Sequence, residues 1–118
     1  MKNLKNIIHK FNQAKILVVG DLILDEYIYG SVDRISPEAP VPVLWANKRS
    51  FVPGGTANVA NNISSLGGKV SLLGVTGDDA NSKILINELK KRKISLQGIF
   101  VENNRHTTVK TRILAGHQ

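Results

Sequence analysis

Residues 15–25 read Lys-Ile-Leu-Val-Val-Gly-Asp-Leu-Ile-Leu-Asp. The apolar run rich in branched side chains, closed by Gly20, has the character of a strand buried on both faces in a parallel sheet. Open parallel sheets receive ligands beyond the carboxyl ends of their strands, so Asp21 and Asp25 are expected to follow such an end, with at least one facing a crevice. A carboxylate there accepts hydrogen bonds from two vicinal hydroxyls, which suits a sugar. The competing readings are Asp21 as a turn former and Asp25 in water.

The second informative stretch is Pro53-Gly54-Gly55-Thr56-Ala57-Asn58. Its glycine pair opens a helix, where unpaired backbone N–H groups point outward. Gly54 and Gly55 allow the backbone to approach a ligand closely. Asn58 falls in the first turn and can both donate to and accept from a hydroxyl. Asn61 and Asn62 are mediocre helix formers, which hints at partners for them as well. The stretch is not a Walker loop, because the Lys-Ser/Thr is missing. Its glycine spacing also excludes the dinucleotide fingerprint.

Between these stretches the chain changes character. Tyr27–Val32 and Val41–Trp45 read as short strands around Ser36-Pro37-Glu38-Ala39-Pro40. Prolines at 37, 40 and 42 forbid a central strand, so residues 27–51 are expected to form an edge or protruding ribbon. Leu4, Ile7, Ile8 and Phe11 predict an amphipathic helix over 3–13. Regular alternation returns after Gly55: a helix over 56–66 with Val59, Ala60 and Ile63 inward, stopped by Gly67-Gly68, then a strand over 69–75. Asp78 or Asp79 caps a helix over 80–92 with Ile84, Leu85 and Leu89 inward. Strands over 99–101 and 107–114 follow. The alternation gives an α/β layered fold with a parallel sheet of about four strands, few against the roughly 5–6 of a typical sheet. Gln118 falls within what reads as a strand.

Bulk properties narrow the functional classes. The 118 residues are 42% hydrophobic and contain no cysteine, which excludes a disordered tail, disulfides and thiolate metal sites. No apolar run approaches the roughly 20 residues of a membrane span, and the N-terminus lacks the pattern of a signal peptide. A cytoplasmic protein without membrane partners is the expectation. The net charge of +7 is scattered apart from Lys90-Lys91-Arg92-Lys93, which reads either as a favoured helix end or as a binding patch. The aromatic residues do not interleave with basic ones, so nucleic acid is not the expected partner. His9, His106 and His117 are dispersed and suggest no metal site.

In Thr107-Thr108-Val109-Lys110-Thr111-Arg112, alternation places Thr108, Lys110 and Arg112 on one strand face. Two cations and a hydroxyl in line can hold a phosphate, Arg112 by forked contacts and Lys110 as a point charge. The same pattern also describes an exposed face decorated with charge.

Four segments together carry a resemblance: Gly20-Asp21-Leu22-Ile23-Leu24-Asp25-Glu26-Tyr27, Arg34-Ile35-Ser36-Pro37-Glu38-Ala39-Pro40-Val41-Pro42-Val43, Pro53–Ala60 and Leu73-Gly74-Val75-Thr76-Gly77-Asp78-Asp79. They resemble the ribokinase superfamily, and within it the bacterial D-glycero-β-D-manno-heptose 7-phosphate kinases, often the N-terminal part of a bifunctional kinase–adenylyltransferase. The proline-rich segment is specific for that branch, whereas Gly-Gly-x-x-Asn alone indicates only the superfamily. The resemblance runs from about Lys15 onward.

It implies a ribokinase-like fold whose ribbon is a lid, and a kinase using ATP and Mg²⁺ on the anomeric hydroxyl of a heptose 7-phosphate. The product, the 1,7-bisphosphate, would feed ADP-heptose synthesis for the lipopolysaccharide core. Asp25, Gly54, Gly55 and Asn58 would hold sugar hydroxyls. Lys110 and Arg112 would take the 7-phosphate, with Arg34 a further candidate from the ribbon, and the lid would also build a homodimer. Such kinases carry a Gly-Ala-Gly-Asp motif whose Asp is the general base, and phosphoryl transfer depends on it and on the nucleotide–metal site. The motif does not occur in these residues. Residues 1–118 are thus expected to be the N-terminal sugar-binding portion of one kinase domain, without the ATP-binding half and inactive alone. The expected consequences are marginal stability and an aggregation-prone edge at the strand over 107–114. The alternatives are a non-catalytic sugar-phosphate-binding half-domain, a kinase of another sugar and a basic nucleic-acid binder.

Overall fold

The structure, a computed structural model, describes residues 3–116. In chain order it contains α1 (Leu4–Ile8), a 3₁₀ turn (Phe11–Gln13), β1 (Lys15–Val19), β2 (Leu22–Ile35), β3 (Pro42–Gly55), α2 (Thr56–Ser65), β4 (Lys69–Gly77), α3 (Ala80–Lys91), β5 (Ile99–Glu102) and β6 (Thr108–Gly116). The strands form two three-stranded sheets, ordered β1-β4-β5 and β3-β2-β6. The first is parallel throughout, with Lys15 opposite Lys69 and Gly74 opposite Ile99. The second is mixed: β2 and β3 form a long antiparallel hairpin, and β6 lies parallel to β2.

The core sits where the base of the hairpin meets the parallel sheet and two helices. Leu22 and Leu24 of β2 pack with Ala57 and Ala60 of α2, Leu72 of β4, Leu85 and Leu89 of α3, and Ile94. Full burial of a leucine contributes about 1.5–3 kcal/mol, so these contacts anchor the hairpin root. The rest of the hairpin projects outward. The Cα radius of gyration is 18.7 Å, against about 13–14 Å for a compact chain of this length.

Several expectations need correction. The helix over 3–13 is broken: α1 has five residues, capped by the Asn3 side chain, and buries none of them. So short a helix gains little without a covering layer. β1 is a parallel strand, as its composition predicts, but it lies at a sheet edge, and Leu17 remains 63% exposed. The ribbon is longer than residues 27–51, because the hairpin pairs from Leu22–Gly55 to Ile35–Pro42. Asp25 is therefore an interior strand residue, not a loop residue beyond a strand end. The parallel sheet has three strands rather than four, since β6 joins the hairpin instead of it. In α2 the inward positions are Ala57 and Ala60, while Val59 is exposed. Asp79, not Asp78, caps α3 through Ser82 N, 2.8 Å away. His117 and Gln118 lie outside the described residues.

Candidate functional site

Asp25 stands in β2 between two buried neighbours, Leu24 and Glu26, and is itself only 9% exposed. Gly54 lies diagonally across on β3. A Cβ built there would meet the Asp25 carboxylate at 2.6 Å, closer than carbon atoms pack, so only glycine leaves the carboxylate its place. On the other flank Asp25 is opposite Lys110 of β6. Lys110 Nζ lies 2.9 Å from Oδ1, and Arg112 Nη1 lies 3.8 Å from Oδ2. The Lys110 contact falls outside hydrogen-bond angles, and Oδ1 is buried without a hydrogen bond. A buried carboxylate oxygen lacking a donor is costly unless a ligand hydroxyl completes it.

The same face continues along β2, since alternate residues share a face. Tyr27 and Tyr29 stack with ring centroids 6.4 Å apart. Arg112 lies over Tyr27 at 5.6 Å, and Lys48 over Tyr29 at 5.4 Å. Arg112 Nη1 also donates to the Tyr27 hydroxyl at 3.5 Å. Tyr27, Tyr29 and Lys48 were not singled out as site residues from sequence. Counting by twos from Asp25 finds the tyrosines, but locating Lys48 requires the hairpin register.

Gly55 joins β3 to α2 with φ +55°, and a Cβ there would meet the Asp21 carbonyl oxygen at 2.8 Å. Thr56 N donates to that oxygen at 3.0 Å, and the Thr56 hydroxyl donates to it as well. The main chain of Asp21 thus fixes the start of α2, while its side chain is exposed at a cleft of about 430 Å³ lined also by Gly20, Leu73, Gly74 and Arg105. No side chain caps α2. Asn58 is exposed in its first turn.

The back of the sheet is braced. Glu26 is 6% exposed and accepts from Arg49 Nε on β3 and from the Thr111 hydroxyl at 2.9 Å on β6. The Arg49 hydrogen bond holds its carboxyl below the ordinary range, against the opposing effect of burial. Thr111 lies between Lys110 and Arg112, so this brace sets the strand carrying both cations. A second clamp feeds β6 into position. Asp79 Oδ2 accepts from Thr107 N at 2.8 Å, the Thr107 hydroxyl donates to Oδ1 at 2.7 Å, and Gly77 N donates to that hydroxyl at 3.1 Å. The Thr107 backbone bond chiefly lowers the Asp79 carboxyl.

The structure therefore brings Asp25, Gly54, Lys110 and Arg112 together. Gly55 and Asn58 follow at the adjoining helix start. Arg34 is exposed near the hairpin tip, nine residues from Asp25 or about 30 Å along the strand, and the Asp25 cluster does not include it. Among the described residues no three His, Cys, Asp or Glu side chains converge as metal donors, and none of the helices there is long and apolar enough to cross a membrane.

Comparison with known proteins agrees with this architecture. The chain is 53% identical over 104 residues to the bifunctional protein HldE of Helicobacter acinonychis, covering 88% of this chain and 22% of the relative. It is 41% identical over 117 residues to HldE of Pelobacter propionicus, covering 99% of this chain and 24% of the relative. The chain thus spans about a fifth to a quarter of these relatives. Among solved structures, Arabidopsis thaliana ribokinase complexed with ribose and ATP superposes with TM-score 0.66 at 23% identity, over 86% of this chain and 32% of that one. An uncharacterized sugar kinase of Pyrococcus horikoshii in complex with ATP gives TM-score 0.60 at 30% identity, over 86% and 31%. The model of the pfkB family carbohydrate kinases matches residues 13–118, and the chain belongs to that family.

Proposed function

We propose that residues 1–118 are the N-terminal, sugar-phosphate-binding portion of a kinase that uses ATP to phosphorylate the anomeric hydroxyl of D-glycero-D-manno-heptose 7-phosphate. The 1,7-bisphosphate formed would serve ADP-heptose synthesis in the cytoplasm. The observation that carries this reading is the pairing, on one face of the β2–β6 sheet, of a buried carboxylate oxygen without a hydrogen bond with two half-exposed cations. A hydroxyl of the sugar completes Asp25, and an ester phosphate takes Lys110 and Arg112. Gly54 leaves the Asp25 carboxylate its place in the site, and Asn58 offers a donor and an acceptor at the uncapped start of α2.

Magnesium and ATP, which supply the transferable phosphoryl group and neutralise its charge, are assigned to no residue here. The projecting β2–β3 hairpin is proposed as the lid and as the contact of a homodimer. The deciding experiment supplies the full-length protein with ATP, Mg²⁺ and heptose 7-phosphate and follows a new anomeric phosphate by ³¹P NMR. Turnover to the bisphosphate is expected. A protein inert towards every sugar phosphate tried would overturn the reading.

A further inference from the structure

Resting on the sugar-phosphate reading above, the geometry points to Lys110 as a gate on Asp25: in the ligand-free protein the ammonium blocks the carboxylate, and the ester phosphate of the substrate draws it away. Phosphate recognition and hydroxyl recognition would then be one coupled event, and the site would discriminate against sugars without a phosphate.

The two partners of the pair differ in freedom. Asp25 is fixed, with Gly54 against its carboxylate and β2 hydrogen-bonded on both sides. Lys110 has a side chain that is 46% exposed, on a flexible four-carbon stem whose charge is a compact point. Arg112 is equally exposed but is held by the ring and hydroxyl of Tyr27. The swinging group is therefore Lys110. Its 2.9 Å approach to Oδ1 lacks hydrogen-bond geometry, so it occupies the acceptor without satisfying it. A sugar hydroxyl that takes the position of the ammonium at Oδ1 leaves a half-exposed cation without its counterion. A phosphate within reach of Lys110 removes that penalty.

Linkage makes the idea measurable, because coupled sites raise each other's affinity by the same factor, typically 5- to 150-fold. The test uses calorimetry on the full-length protein with three probes: heptose 7-phosphate, the same heptose without phosphate, and inorganic phosphate. In the wild type, saturating inorganic phosphate is expected to tighten binding of the free heptose by about tenfold. In Lys110→Met the free heptose is expected to bind about tenfold tighter without phosphate, and added phosphate is expected to change nothing. That gain in affinity is what a plain phosphate contact cannot produce. Lys110→Met weakening heptose 7-phosphate while leaving free heptose unchanged or weaker would overturn the gate yet leave the sugar-phosphate reading standing. Absence of any heptose 7-phosphate binding by the wild type would overturn both. Lys110→Arg, which keeps a cation of different shape, is expected to retain the phosphate effect in reduced form and guards against a folding defect in the methionine variant.

Discussion

The carboxylate of Asp25 and a side chain at position 54 cannot share the space between β2 and β3. The ideal Cβ at Gly54 falls 2.6 Å from both Cγ and Oδ1 of Asp25. Gly54→Ala must push the carboxylate off its present position or spread the hairpin root. We expect sugar-phosphate binding to fall at least tenfold, with a stability loss of about 1–3 kcal/mol typical of overpacking. Calorimetric titration beside a thermal melt separates the two. Unchanged affinity would mean that Asp25 is not the hydroxyl acceptor.

The Glu26 brace predicts a different signature. Glu26→Gln keeps the shape but removes the charge that Arg49 and Thr111 meet. Arg49 is largely exposed, so its share is small, and the expected cost is about 1–2 kcal/mol. Because Thr111 separates Lys110 from Arg112, phosphate affinity is also expected to weaken severalfold. Chemical denaturation and phosphate titration check the two halves, and a variant as stable and as tight as the wild type would show the brace to be inert.

Acid should loosen the fold through Glu26 and Asp79. Both carboxyls titrate below their ordinary range in the folded chain. Their stabilisation is therefore complete above the unfolded values near 4 and fades as pH falls through the lower folded values. The melting temperature is expected to hold between about pH 7 and 5 and to drop below about pH 4. In Glu26→Gln the acid decline should be shallower. A wild-type decline beginning near neutrality would implicate other groups.

Asp79 ties the start of α3 to the entry of β6, so Asp79→Ala removes a helix cap and two bonds to Thr107 together. The expected loss is about 2–3 kcal/mol. Hydrogen exchange should report it in β6 as well as in α3. Faster exchange confined to α3 would show that the clamp does not hold β6.

Much of the fold was legible because its signals are local. The Gly20 stop, the Gly55–Thr56 helix start, the Asp79 cap and the inward pair Leu85 and Leu89 rest on capping and periodicity. The misreadings concern partners far along the chain. Lys15–Val19 has the composition of a doubly covered strand, yet composition cannot tell which neighbours are present to cover it. The span over 107–114 was recognised as a strand, but nothing in it names β2 rather than the parallel sheet as its partner. The site divides the same way. Asp25, Gly54, Lys110 and Arg112 were picked out individually, by residue type and resemblance. Gly54 is expected from sequence to let a ligand approach, and that it also makes room for Asp25 is a fact that lives in the hairpin register. Glu26 and Arg49 have no local signal, because they answer each other across strands.

The parallel pairing of β2 with β6 also sets an order of assembly. The contacts from Glu26 to Thr111 and from Tyr27 to Arg112 each close 85 residues of sequence. Contacts this distant incur their loop-closure entropy before they return any stability, and chains that rely on them fold slowly. The β2–β3 hairpin, α2, β4 and α3 are joined by much shorter loops. β6 is therefore expected to dock after the hairpin root has formed, bringing both cations to Asp25 together. During synthesis the Asp25 carboxylate is made 85 residues before Lys110, and it is expected to stay hydrated until the strand that carries its counterions is in place.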